Sequence, residues 1–188
     1  MLHQFPSLTP LLVLLLALTG PAASAAPEAT TTTEASAEDV FSDGLQRFAR
    51  AHGYQAIELE RMATGHLLLE VSINDDTPRR FVCDTGSNAT VVFPALAKEL
   101  GLASQALETT AGGLGGAEME LRLTVADSMT ISGVRFEEPE LLVLDLSSIN
   151  MQFESVGERP IEGILGADWL DLHEAVIHLP SNRLFVRP

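Results

Sequence analysis

The residues best suited to chemistry stand together at Asp84-Thr85-Gly86-Ser87, between two apolar runs, Phe81-Val82-Cys83 and Thr90-Val91-Val92-Phe93, whose composition reads as strand. The turn places a carboxylate where the chain is otherwise ready for burial. A carboxylate held at such a junction is useful when a second one is brought within hydrogen-bonding distance. Two like charges that close share a proton, so that one acts as base on a bound water while its protonated neighbour polarises a carbonyl. Each neighbour of Asp84 has a part in that reading. Gly86 lets the backbone bend and turn its N–H toward the carboxylate. Thr85 offers a hydroxyl to lock the turn against nearby backbone, and Ser87 adds a donor near the outer carboxylate oxygen. The bland alternative is an ordinary turn, since Asp and Gly favour turns for local reasons.

Other chemistries find little footing. The cluster Gly112, Gly113, Leu114, Gly115, Gly116 is not a phosphate loop: no Gly-x-x-x-x-Gly-Lys-Ser/Thr is present, and Glu118 stands where Gly-x-Gly-x-x-Gly needs its third glycine. His52, His66, His173 and His178 lack metal-ligand spacing, and His173-Glu-Ala-Val-Ile-His178 is not His-Glu-x-x-His, so no metal and no organic cofactor is expected. Cys83 is the single cysteine, which excludes an internal disulfide and fits a small buried residue better than a nucleophile. Asp145 and Asp168 are followed by Leu-Ser and Trp-Leu, without the glycine that makes the turn. Asp168 reads as a helix-start residue accepting backbone N–H bonds, and Trp169 as core. The Asn88-Ala89-Thr90 sequon lies where a glycan would block the site.

The elements that must position Asp84 are mostly strands. Short apolar runs at 57–62, 66–73, 81–83, 107–111, 119–125, 129–131, 134–137 and 141–146 alternate with turn residues such as Asn74-Asp75-Asp76-Thr77-Pro78. Ala95 to Leu102 reads as a brief helix ending at Gly101. The segment Ile161 to Leu170 gives an apolar strand, Gly166, and a short helix near Asp168. A final hairpin, 175–179 and 184–187, supplies terminal edges in need of a partner. This density of strands predicts an all-β barrel or sandwich with one or two short helices.

In this order, Asp84-Thr85-Gly86-Ser87, the glycine segment from Ala111 to Glu118, and Ile164-Leu165-Gly166 resemble the retropepsin-like aspartic proteases over roughly residues 57–188. The resemblance implies an all-β, retropepsin-like acid protease barrel with one lobe per chain. It implies that Asp84 is catalytic, that Thr85, Gly86 and Ser87 support its loop, and that Gly112, Gly113, Leu114, Gly115 and Gly116 form a flap over a peptide substrate. Ile164, Leu165 and Gly166 would pack beneath the loop. Because Asp-Thr-Gly occurs once, the second carboxylate must come from another copy, giving a C2 homodimer in which the terminal strands interleave. A catalytically silent β-barrel that binds peptides is the rival reading. An acidic carbohydrate-active β-protein is a weaker one, because nothing in the sequence pairs two carboxylates.

The ends and the charge set the context. An apolar run, Leu11 to Leu18, precedes Ala23-Ser24-Ala25, a small-x-small pattern, so residues 1–25 read as a secretory signal although no Lys or Arg precedes the run. The run is short of the roughly 20 residues that span a bilayer, so no stable membrane anchor is expected and the destination is secreted or periplasmic. Residues 26–37 are small and polar and read as a flexible linker; residues 38–56 read as an amphipathic helix and connector, an add-on to the domain at 57–188. Without the signal about 163 residues remain, enough for one domain with a real core. Eleven Lys and Arg against 26 Asp and Glu give a formal charge of −15, which repels nucleic acid.

Overall fold

A computed structural model describes residues 37–112 and 118–188; the expected signal, nearly all of the expected linker, and the flap residues Gly113, Leu114, Gly115 and Gly116 lie outside the described residues. The all-β expectation holds. In chain order the elements are α1 (Ala37–Ala51), β1 (Gln55–Glu58), β2 (Glu60–Arg61), β3 (Leu67–Ile73), β4 (Arg79–Cys83), β5 (Val91–Val92), α2 (Pro94–Glu99), β6 (Ser104–Gly112), β7 (Glu118–Val125), β8 (Ser128–Ile131), β9 (Val134–Glu137), β10 (Glu140–Val143), α3 (Ser147–Ser155), β11 (Gly163–Leu165), α4 (Ala167–Leu172), β12 (Val176–His178) and β13 (Arg183–Val186).

The main sheet runs β6-β7-β10-β5-β11-β4-β3-β8-β9, with β2 joined to β3. The turn between β3 and β4 uses Asn74 and Asp75 at φ of 53° and 59°, a left-handed pair that these two residue types tolerate. The Asn74 side chain then accepts the N–H groups of Asp127 and Ser128, which ties this turn to β8. The central strands are apolar on both faces because both faces are covered. Phe81, Val92 and Leu165 belong to one core with Leu69, Trp169 and Leu184. Val82, Val91 and Ile164 belong to a second, with Leu68, Ile161 and Phe153.

That second core explains the helix the sequence reading omitted. The barrel carries α3 as well as α2 and α4; α3 spans mostly polar residues and buries only Phe153, so its apolar stripe is too thin to stand out as a period. The expected single strand at 57–62 is two. Leu59 N–H makes the last bond toward the β13 side, to Asn182 O at 2.8 Å, and the chain crosses from there to the main sheet, where β2 pairs with β3.

The terminal strands correct the expectation of unpaired edges. β13 lies at the centre of a three-stranded antiparallel sheet, paired to β1 on one side and β12 on the other within the same chain; the outer edges of β1 and β12 have no strand partner among the described residues. Leu184 and Val186 are buried in the first core. Phe185, 2% exposed, lies at a surface it shares with Leu45, Phe48 and Ala49 of α1. Arg183 Nη1 donates to Gln46 Oε1 at 3.2 Å. The helix therefore packs on the terminal sheet. No helix among the described residues is long and apolar enough to cross a membrane.

Candidate active site

The Asp84 turn is held by a strand from the far end of the chain. β4 and β5 flank the turn but do not pair with each other; β11 sits between them, parallel to β4 and antiparallel to β5. Leu165 faces Cys83 in this register. One residue on, Asp84 N–H donates to Leu165 O at 3.0 Å, and Ala167 N–H donates to Ser87 O at 2.8 Å. The turn is thus stitched at both ends to the segment Leu165-Gly166-Ala167.

Inside the turn, Ser87 N–H donates to Asp84 O at 3.1 Å and Gly86 N–H donates to Asp84 Oδ1 at 2.9 Å. A Cβ at Gly86 would stand 3.1 Å from that same oxygen, so glycine keeps the carboxylate free to accept the bond. Asp84 is half-buried, and its Oδ2 has no hydrogen-bond partner among the described residues. The carboxylate is therefore oriented through one oxygen and open through the other.

Two roles expected of neighbours fall elsewhere. Thr85 is exposed and bonds to none of the described residues. Ser87 Oγ donates to Ala89 O at 2.7 Å, into the loop and away from the carboxylate. The locking hydroxyl is that of Thr90, which is 1% exposed. It donates to Asp168 Oδ1 at 2.8 Å and accepts the N–H of Gly166 at 3.1 Å, while Thr90 N–H donates to Asp168 Oδ2 at 2.9 Å. Asp168 also accepts its neighbour Trp169 N–H at 2.7 Å. It stands one residue inside α4, whose N-cap is Gly166, so the expectation of a helix-start acceptor is met in part, and the larger share of its bonding goes to the loop. With both oxygens committed, Asp168 has none to spare for catalysis. Asp145 accepts Ser147 N–H at the start of α3.

Ile164, Leu165 and Gly166 lie beneath the turn, all buried. Gly166 has no room for a side chain: a Cβ there would meet Ala89 O at 2.3 Å and Thr90 N at 2.9 Å. Gly112 ends β6, opposite Glu118 of β7. Cys83 is half-buried, and burial, followed by the charge of Asp84, pushes its thiol up to about 11; it stays protonated at neutral pH and is no nucleophile there. Among the described residues, no group of three or more His, Cys, Asp and Glu side chains is placed to hold a metal ion.

The residues that clamp the loop were the ones that sequence reasoning missed. The available signal was a hydroxyl at the start of the strand after the turn and a carboxylate just after Gly166, 78 positions downstream of it. The family model described as aspartyl protease matches residues 69–169, from within β3 to the start of α4, and so takes in the turn, β11 and Asp168. The chain belongs to the aspartyl protease family. Among solved structures it is similar to a retropepsin-like aspartic protease from Rickettsia conorii, 19% identical with a TM-score of 0.48, over 71% of this chain and 89% of that one. It is also similar to EIAV protease complexed with the inhibitor HBY-793, 28% identical with a TM-score of 0.40, over 55% and 84%. A third is the retroviral protease-like domain of Ddi1 from Leishmania major, 16% identical with a TM-score of 0.46, over 64% and 87%. Among curated proteins, none matches the chain. The family match bears out the resemblance read from the Asp-Thr-Gly turn and Ile164-Leu165-Gly166. In an aspartyl protease the loop geometry has a plain use: it fixes one carboxylate on a rigid base and leaves the exposed residues Thr85, Gly86 and Asn88 around it.

Proposed function

We propose that the chain is an aspartic endopeptidase in which Asp84 carboxylates from two copies activate a water against a peptide bond. The observation that carries this reading is the Asp84 turn, with Oδ1 engaged by Gly86 N–H and Oδ2 unpartnered, clamped from below by Leu165, Ala167 and Thr90. A single carboxylate cannot be both base and acid in one step, and Asp-Thr-Gly occurs once. A second copy completes the pair. The open outer edges of β1 and β12 favour such an association. So do Phe41, Phe48 and Val176, which leave apolar surface exposed on α1 and β12. Gly86 and Ser87 then support the loop, Thr85 stands exposed beside the carboxylate, and Gly112 through Gly116 form the flap. The expected leader at 1–25 puts the enzyme in a secreted or periplasmic setting.

The test is cleavage of unfolded casein by the protein and by Asp84→Asn over about pH 3 to 8, the range in which such a pair titrates, with sedimentation to give the mass. Cleavage by a dimer, reduced at least about a hundredfold in the variant, is the expected result. A folded monomer silent at every pH overturns the reading in favour of a peptide-binding barrel of the same fold.

A further inference from the structure

Where the last turn of α1, the start of β1 and the β8–β9 turn meet lies a cavity of about 360 Å³, bordered by Gln46, Arg50, Tyr54, Gln55, Ala56 and Ser132, within the size range of sites that hold a ligand. Its polar groups favour an acceptor. Gln46 Oε1 is taken by Arg183 Nη1 at 3.2 Å, which leaves that side chain only its NH2 to offer. Arg187 lies over the Tyr54 ring at 5.1 Å, so a second cation stands close by. The Arg50 guanidinium makes neither an ion pair nor a hydrogen bond among the described residues. Its place in the last turn of α1 suits the negative end of that helix, but this supplies no counter-anion. Among the described residues no Asp or Glu borders the cavity, in a chain where acidic residues outnumber basic ones 26 to 11.

Beside these donors runs the unpaired edge of β1. Leu59 N–H bonds toward β13, and the antiparallel register turns Ile57 and Gln55 the same way. Ala56 and Glu58, between them, therefore point their N–H and C=O groups outward, where no strand among the described residues receives them. Both residues are exposed, and the cavity reaches the edge at Ala56. A free phosphate would answer Arg50 and leave the edge unpaired. An uncharged strand would do the reverse. An extended polypeptide bearing a carboxylate answers both.

We propose that the outer edge of β1 receives an extended peptide segment as a further strand of the terminal sheet, with a carboxylate of that segment on Arg50. The carboxylate belongs to an Asp or Glu side chain or to a chain end. Glu58 stands at the other end of β1, so like-charge repulsion sets the carboxylate at the Gln55 end. The site is separate from Asp84 and from the β12 edge of the same sheet, where the exposed Val176 and Phe41, the latter against His178, leave apolar surface for a second copy.

The full chain carrying Asp84→Asn is titrated with fluorescein-labelled, amidated Gly-Thr-Val-Thr-Val-Glu-Thr, read by anisotropy. Saturable binding is expected, with slowed amide exchange at Ala56 and Glu58, whose N–H groups the added strand covers. Replacing the peptide Glu with Gln, or adding Arg50→Gln to the protein, weakens binding at least about threefold, and the two changes together cost no more than either alone. If the Gln peptide regains its affinity with a free C-terminal carboxylate, the contact is to a chain end; if it does not, the contact is to a side chain. No saturable binding, equal affinity for the Gln peptide, or binding that leaves Ala56 and Glu58 unprotected overturns the proposal. Displacement by inorganic phosphate at the peptide's own concentration also overturns it, because an anion alone would then suffice. Binding at β1 by a protein that cleaves nothing with Asp84 restored keeps this site and loses the protease reading; cleavage without such binding does the reverse.

Discussion

Gly166→Ala tests whether the active-site turn rests on close backbone contact. The new methyl would lie 2.3 Å from Ala89 O, 2.4 Å from Ala89 C and 2.9 Å from Thr90 N, against 3.4 Å for the start of ordinary contact. The obstructing atoms are all backbone, so no side chain can swing aside. The φ of Gly166 is −94°, a value alanine adopts freely, and the cost is therefore one of space alone. Relief requires the segment at Ala89 and Thr90 to withdraw by about 1 Å, which lengthens the bonds from Thr90 to Asp168 and to Gly166 N–H. Overpacking of this kind costs about 1–3 kcal/mol in stability. A displacement of that size at a catalytic loop costs up to about a hundredfold in rate. Urea unfolding measures the first and casein cleavage the second. Gly44→Ala is the control: a Cβ there meets nothing within 4 Å, it lies within α1, and alanine is favoured in a helix by up to about 1 kcal/mol. A Gly166→Ala protein that unfolds at the same urea concentration as the parent refutes the packing argument, whatever its activity.

Other perturbations separate the remaining parts. Thr90→Val keeps the shape and removes the hydroxyl, stranding the buried N–H of Gly166 and leaving Asp168 Oδ1 with the Trp169 N–H alone; a loss of about 1–3 kcal/mol is expected, with Thr90→Ser restoring most of it, both read by thermal unfolding. Starting the chain at Gly53 removes α1 and uncovers Phe185, for a loss of about 1.5–3 kcal/mol; an unchanged urea midpoint would show that α1 is not part of the packed domain. The thiol of Cys83, raised to about 11 from its ordinary 9.0, is about a hundredfold less ionised at pH 8, so alkylation by iodoacetamide is correspondingly slow, and its rate keeps climbing with pH until it levels off near 11 instead of 9. Because the Asp84 charge is the second cause of that shift, Asp84→Asn moves the alkylation profile to lower pH. A profile identical in the two proteins removes the electrostatic contact.

What the sequence disclosed, and what it withheld, divides by range. The turn at Asn74-Asp75, β9, the stop of α2 at Gly101 and the apolar β11 are set by neighbours a few positions apart, and their residue types announce them. Placing β11 between β4 and β5 is a contact between residues some eighty positions apart, which no local period encodes. The clamp of Thr90 by Asp168 is hidden for the same reason, since each residue alone fits a bland role in its own element. Thr85 reads as the lock and Ser87 as a donor to the carboxylate because they stand next to Asp84 in the chain, and adjacency is the only relation a sequence displays. The helix α3 failed differently: one buried Phe153 among polar residues gives a real helix with no readable stripe.

The loop is over-determined on one side and unsatisfied on the other. Leu165 O, Ala167 N–H, Gly166 N–H and the Asp168 carboxylate hold Asp84 to Thr90 from beneath, whereas Thr85, Gly86 and Asn88 are exposed. A turn built only for stability would satisfy its outer groups locally, through Thr85 or Ser87. Here those hydroxyls leave the carboxylate alone, and beyond the bonds of Gly86 and Ser87 within the turn the rigidity comes from a distant strand and helix. That separation lets the two halves of the reasoning fail independently. Gly166→Ala and Thr90→Val act on the foundation and are expected to lower stability and rate together, whereas Asp84→Asn acts on the open side and is expected to abolish cleavage without loosening the fold. An Asp84→Asn protein that lost both would show that the carboxylate is part of the foundation, and the division between support and chemistry would have to be redrawn.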